Sequence, residues 1–234
     1  MLYSLILGQL LVACGGKESD TSQPMVEPAQ EASPEPSTDT GITEDGVEAL
    51  REGNLVITEI MKNPCVIGED VDGDGNLDCT LEDEAGEWFE IYNNTSESQN
   101  LKGLIVTDDD LPEEVFTVAD DVIVPAGGYV VFGNNGDSAS NGGYTSGYAY
   151  IGGDAGFKLG NGTDGIVLSN ANGVIDSVVY TDADFPDNKG YSLTLIPSVL
   201  DATQNDDGAN WCISADQYGD GDFGTPGSAN TCSE

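Results

Sequence analysis

Three aspartates at alternate positions, followed by Asn and a further Asp, make the residues Asp70-Val71-Asp72-Gly73-Asp74-Gly75-Asn76-Leu77-Asp78 the clearest chemical constellation in this chain. That spacing lets Asp70, Asp72 and Asp74 turn carboxylates onto one cation. Gly75 permits the sharp bend, Asn76 offers its backbone carbonyl, and Asp78 can ligate directly or through water. The pattern matches an EF-hand-type calcium loop as far as Asp78 and departs at Leu81, where the bidentate Glu would stand. Glu82 or Glu84 are the substitutes at hand. Without that ligand the expected affinity for Ca2+ falls in the extracellular range of about 10⁻⁴ to 10⁻³ M. The expected role of the ion is structural, to stiffen an insertion between the first two strands.

Two further acidic groups are weaker candidates for a cation site: Asp108-Asp109-Asp110 with Glu113-Glu114, and Asp216 with Asp220 and Asp222. Among 43 acidic residues such clusters also arise by chance, so spacing alone singles out no catalytic carboxylate pair. The chain has no histidine, which removes the usual base for a serine or cysteine nucleophile. It also has no Gly-rich phosphate loop with its lysine. The reading is therefore a non-catalytic module, with a metal-dependent surface hydrolase working through Asp108 and Asp110 as the alternative.

The cysteines divide by position. Cys14 closes the run Leu11-Val12-Ala13-Cys14 at the end of an apolar N-terminal stretch, the pattern of a lipoprotein signal in which the cysteine becomes the lipidated N-terminus. Met1 to Leu10 carries no Lys or Arg, unlike an ordinary secretory n-region. The stretch is shorter than the roughly 20 apolar residues needed to cross a bilayer. A bacterial cell envelope is the expected location, and Gly15 after the cysteine resembles the lipoproteins passed on to the outer membrane, which implies the outer membrane or cell surface as the destination. Cys65, Cys79, Cys212 and Cys232 remain, and an exported chain permits disulfides. Four cysteines allow three connectivities. The sequence-local pairs Cys65–Cys79 and Cys212–Cys232 are favoured, because intervening Gly and Asp make short loops easy to close. Zinc is disfavoured by the absence of histidine and of CxxC spacing.

The elements that must carry these residues are strands. Residues 1–13 read as the signal and 14–53 as an acidic, Pro/Ser/Thr-rich disordered tether with too few apolar side chains to fold. Within the tether, Glu44 to Arg51 is compatible with one or two helical turns. From Asn54 to Glu234, β-branched and aromatic runs alternate with Gly, Asn, Asp and Pro. The expected strands are Leu55 to Met61, Glu87 to Tyr92, Leu101 to Thr107, Asp121 to Val124, Tyr129 to Phe132, Gly165 to Ser169, Val174 to Tyr180 and Tyr191 to Ile196. Asn170-Ala171-Asn172-Gly173 reads as a hairpin turn. An all-β antiparallel sandwich follows, with Trp88 and Trp211 as core anchors.

The net charge of −37, with six Lys and Arg in all, speaks against nucleic-acid binding, which depends on basic residues releasing counterions. A cation-rich medium suits such a chain, because cations relieve its self-repulsion.

Read in order, Leu55-Val56-Ile57-Thr58-Glu59-Ile60-Met61 with Asn63-Pro64, Glu87-Trp88-Phe89-Glu90-Ile91-Tyr92-Asn93, Leu101-Lys102-Gly103, Val124-Pro125-Ala126-Gly127-Gly128-Tyr129, Asp176-Ser177-Val178-Val179-Tyr180 and Gly224-Thr225-Pro226-Gly227-Ser228-Ala229-Asn230 resemble the lamin-tail domain family. The resemblance runs from about Asn54 to Asn230. It departs at Leu104, where the family often has Trp. It implies an immunoglobulin-like β-sandwich and, for bacterial members, a surface or secreted module that contacts a protein or glycan partner. It carries over no catalytic residues. Neither a coiled-coil rod nor a basic localisation signal is present, which sets aside the filament and nuclear roles of lamins.

Overall fold

A computed structural model describes residues 46–66, 78–150 and 156–232. Strand β1 (Leu55–Met61) is buried at every position, and β2 (Trp88–Asn93) at all but Tyr92. The two pair antiparallel, Leu55 opposite Asn93 and Met61 opposite Trp88, with a register shift between Ile57 and Glu59. β3 (Gln99–Asn100), β4 (Ile105–Asp108), β5 (Val115–Thr117), β6 (Ile123–Val124), β7 (Tyr129–Gly133), β8 (Tyr148–Ala149), β9 (Asp164–Asn170), β10 (Gly173–Tyr180), β11 (Leu193–Leu195) and β12 (Trp211–Ile213) follow. They assemble as a six-stranded sheet in the order β12-β11-β1-β2-β7-β8, a four-stranded sheet β10-β9-β4-β5 and a two-stranded ribbon β3-β6. The architecture is the expected immunoglobulin-like sandwich. Pairing is antiparallel throughout these sheets except between β7 and β8, which run parallel with Phe132 opposite Tyr148.

Side-chain alternation explains why the larger sheet is buried on both faces. Phe89 and Ile91 of β2 enter the main core with Phe132, Val106, Ile166, Leu168, Val178 and Tyr180. Trp88, on the opposite face, joins Met61, Val131 and Tyr144 in a second apolar cluster, against which Tyr218 packs. Trp211 anchors the main core, its Nε1–H donating to the Asn205 carbonyl at 2.8 Å. Trp88 therefore anchors the outer cluster and Trp211 the inner one.

The packed unit reaches back ahead of Asn54. A 3-10 turn at Gly46–Ala49 places Val47 in the main core together with Leu50. Asn170, at the β9–β10 hairpin, donates from Nδ2 to the carbonyls of Val47 (2.7 Å) and Leu50 (3.0 Å). The boundary drawn from composition at residue 53 thus falls inside a packed segment. Leu101 to Leu104 is a turn with Gly103 at φ +91°, so β4 begins at Ile105. Among the described residues no helix is long and apolar enough to cross a membrane.

Candidate functional site

The acidic loop of the calcium pattern lies between β1 and β2, and its ends are held twice. Cys65 and Cys79 form a disulfide with their Cα atoms 4.6 Å apart. The buried carboxylate of Asp222 accepts the backbone N–H groups of Cys65 (2.9 Å) and Val66 (2.6 Å). Thr80 N–H closes the other side on the Cys65 carbonyl at 3.1 Å. Asp70, Asp72, Asp74 and Asn76 lie outside the described residues, as does Cys14; Asp78 stands next to the bridge, half-buried and in contact with its surroundings. The second disulfide, Cys212–Cys232, has its Cα atoms 5.7 Å apart. Both pairings are the sequence-local ones.

The second acidic candidate does not form a cluster. Asp222 caps the loop base, and Asp216 accepts from Thr231 Oγ1 at 3.0 Å. Asp220 is exposed, with its backbone N–H on the Gly142 carbonyl at 2.9 Å. Burial pushes the Asp222 carboxyl up, while the two N–H groups it accepts oppose that shift.

The first candidate is reassembled with a different partner. Asp108 ends β4 and Asp164 begins the neighbouring β9, so the ladder brings together carboxylates far apart in the chain. Among the described residues, Asp108, Asp109 and Asp164 place carboxylate oxygens within 4.8 Å of one another. A Cβ on Gly165 would press on the Asp109 side chain, which would have to shift away from this trio. Burial opposes the charge on Asp108, but the N–H groups of Leu111 and Asp110, each 2.9 Å from Oδ1, outweigh it and hold this carboxyl below its ordinary value. Asp164 is pushed up to about 7, by burial and then by Asp108, against the N–H groups of Gly160 and Gly165. One carboxylate beside one carboxyl near neutrality is a pair that can share a proton or a cation. Asp110 and Glu113 are exposed and outside this trio.

Glu87 lies at the same end of the sandwich. It is 2 % exposed, accepts the Leu159 N–H at 3.0 Å, and is pushed up to about 8 by burial and by the charges of Asp83, Glu84 and Asp164. The buried Lys62 does not neutralise it. Its Nζ is taken by Asp182 (2.6 Å), Asp187 (3.1 Å) and the Asn161 carbonyl (2.5 Å), above the Tyr180 ring.

The strands also carry acids that sequence reasoning passed over. Glu59 in β1, Glu90 in β2 and Asp176 in β10 are buried. Asp176 Oδ2 accepts the Ile57 N–H beside the β1 bulge at 2.6 Å and the Asn205 Nδ2 at 2.9 Å. A carboxylate inside a β-branched run, as in Leu55-Val56-Ile57-Thr58-Glu59-Ile60-Met61, was the available signal. Beside the loop base an open groove of about 970 Å³ is lined by Glu82, Asp83, Glu84, Ala85, Asn134 and Asn135.

Against known proteins, a family model described as Lamin Tail Domain matches residues 49–182, a span that takes in β1 to β10 and stops ahead of β11. No curated protein matches the chain.

Proposed function

The chain belongs to the lamin tail domain family, and from that premise we propose that it is a lipid-anchored surface module of a bacterial envelope, non-catalytic, stabilised by Ca2+ in the 70–78 loop and built to contact a protein or glycan. Cys14 is the lipidated residue in this reading, and the stretch up to Gly46 is the tether that carries the sandwich away from the membrane. More than one acyl chain on Cys14 would make that anchorage stable. The family is one of immunoglobulin-like interaction domains and not an enzyme family.

The observation that carries the calcium part is the doubly held loop base. A disulfide joins the two ends of the acidic loop and the Asp222 clamp holds its first end, so less chain entropy is lost when Asp70, Asp72, Asp74, Asn76 and Asp78 close on an ion. The polar groove beside the loop offers amide and carboxylate groups suited to glycan hydroxyls or a polar peptide. The Asp108, Asp109 and Asp164 trio supports the second reading, a metal-dependent surface hydrolase, and moves its cation from the Asp108–Asp110 pair to Asp108 and Asp164.

Thermal melting of the chain in EDTA and in about 10 mM Ca2+, a hundredfold excess over a dissociation constant of about 10⁻⁴ M, tests the calcium reading. Binding should add about 2.7 kcal/mol and raise Tm by several degrees. The doubly substituted chain, Asp72→Ala with Asp74→Ala, should lose that rise. Equal melting in both media would remove calcium from the proposal and leave the anchor and the module.

A further inference from the structure

The C-terminal segment lies beyond the span matched by the family, yet it is bonded to two acids within that span. Glu59 and Glu90 are directly opposed residues of β1 and β2, both fully buried. Glu59 Oε1 accepts the hydroxyls of Ser192 and Thr194 and the Thr225 N–H (2.9 Å), and its Oε2 accepts the Thr225 hydroxyl (2.8 Å). Glu90 Oε2 accepts the Gly227 N–H at 2.7 Å, and its Oε1 accepts the Thr58 hydroxyl at 2.9 Å. Asn230 completes the closure, donating from Nδ2 to the carbonyls of Thr58 and Leu195, each at 2.8 Å. Gly224 to Asn230 is thus a strap over the outer face of the larger sheet. Gly224 rests against the Trp88 ring, and the Cys212–Cys232 bridge ties the far end of the strap to β12.

No basic side chain forms a salt bridge to either carboxyl among the described residues. The titratable groups around the pair are acids and phenols: Tyr92 from β2, Tyr129 from β7, and Tyr218 and Asp222 from the C-terminal segment, with Asp216 at its edge. β11 brings only the hydroxyls of Ser192 and Thr194. Two full charges on opposed, buried residues without a cation would repel strongly. The hydrogen bonds show where a proton can reside. Backbone N–H groups can only donate, which keeps Glu59 Oε1 and Glu90 Oε2 as acceptors. The hydroxyls of Thr58 on Glu90 Oε1 and of Thr225 on Glu59 Oε2 can both turn and accept, but four donors converge on Glu59 and fewer on Glu90, so the charge belongs on Glu59 and the proton on Glu90 Oε1.

We propose that Glu59 and Glu90 form a proton-dependent latch: Glu90 protonated and Glu59 ionised hold the strap Gly224 to Asn230 closed, and loss of the Glu90 proton opens it over Trp88. Burial raises both carboxyls, and the charge of Glu59 raises Glu90 further, well above its ordinary value. A carboxyl raised in the folded state stabilises that state below its unfolded value, and the contribution disappears as pH rises through the folded value. The latch is closed in acid and opens toward alkali.

The test is a pH titration of the whole chain carrying 13C-labelled Glu carboxyls and 15N amides, followed by NMR together with acrylamide quenching of tryptophan. The Glu90 carboxyl carbon, assigned through its own backbone amide and so distinguished from Glu87, should titrate well above the ordinary 4.5. The Thr225 and Gly227 amides should shift, and quenching should increase, at that same midpoint. Glu90→Gln keeps an acceptor for Gly227 and a donor for Thr58 but no charge, so both responses should vanish while the strap stays closed. Strap amides that do not move while Glu90 titrates, or a Glu90 carboxyl with an ordinary midpoint, would overturn the latch. If the substituted chain does not fold, the titration of the unsubstituted chain decides alone.

Discussion

Glu87 shows what a single buried acid does to this fold. Its carboxylate accepts the Leu159 N–H, and three neighbouring acids add to the cost of its charge. Because its carboxyl is raised from 4.5 to about 8, its contribution to stability is fully present below about pH 4.5 and is lost as pH climbs through 8. Glu87→Gln supplies the same acceptor without the charge. The substituted chain should match the parent in urea unfolding near pH 5 and exceed it above pH 8, the gap widening between those values. At this scale the cysteine pairing was legible, because each pair closes a short loop rich in Gly and Asp. The roles of Asp222 and Asp164 were not, because 43 acids make any one of them unremarked until its neighbours are known.

Among the elements, β1 occupies the residues read from its pattern, and β10 follows the Asn172-Gly173 turn almost as expected. These have local causes: a dense β-branched run, and a turn residue at φ +135°. The edge strands β5, β8 and β12 and the ribbon strand β3 have two or three residues each, too few for alternation to register, and exist only because a neighbour pairs with them. The Gly46–Ala49 turn lies within the Glu44 to Arg51 stretch read as compatible with helical turns, but its packing was hidden for another reason: two apolar residues, Val47 and Leu50, sit in a polar segment. Each side chain so buried stabilises by about 1.5–3 kcal/mol. A chain beginning at Asn54 should therefore melt several degrees below one beginning at Gly46, measured by calorimetry in the same buffer.

For the molecule as a whole, charge dominates. From Asn54 onward 33 acids face four lysines. Of these, Lys62 is spent inside on Asp182 and Asp187, and Lys102 stands 3.7 Å from Asp121 on the surface. Arg51 bonds backbone carbonyls of Glu48 and Leu50. The remaining acids repel one another at long range, a repulsion that salt screens over about 10 Å at 0.1 M. Raising NaCl from about 0.02 to 0.5 M in the presence of EDTA should raise Tm, the reverse of what a fold held by surface ion pairs would show. A melting point independent of salt would mean the surface acids are too dispersed to interact.

The amino-acid sequence alone determined the all-β class, most of the longer strands, the two disulfides and the family, since each depends on residues close together in the chain or on motifs in a fixed order. Tertiary structure decided what the acids do. Thr225 reaches Glu59 across 166 positions, Cys65 meets Asp222 across 157, and Asp108 meets Asp164 only because β4 and β9 pair. A carboxylate's proton, partner and energy depend on which donors and charges the fold packs around it, and no local pattern carries that information.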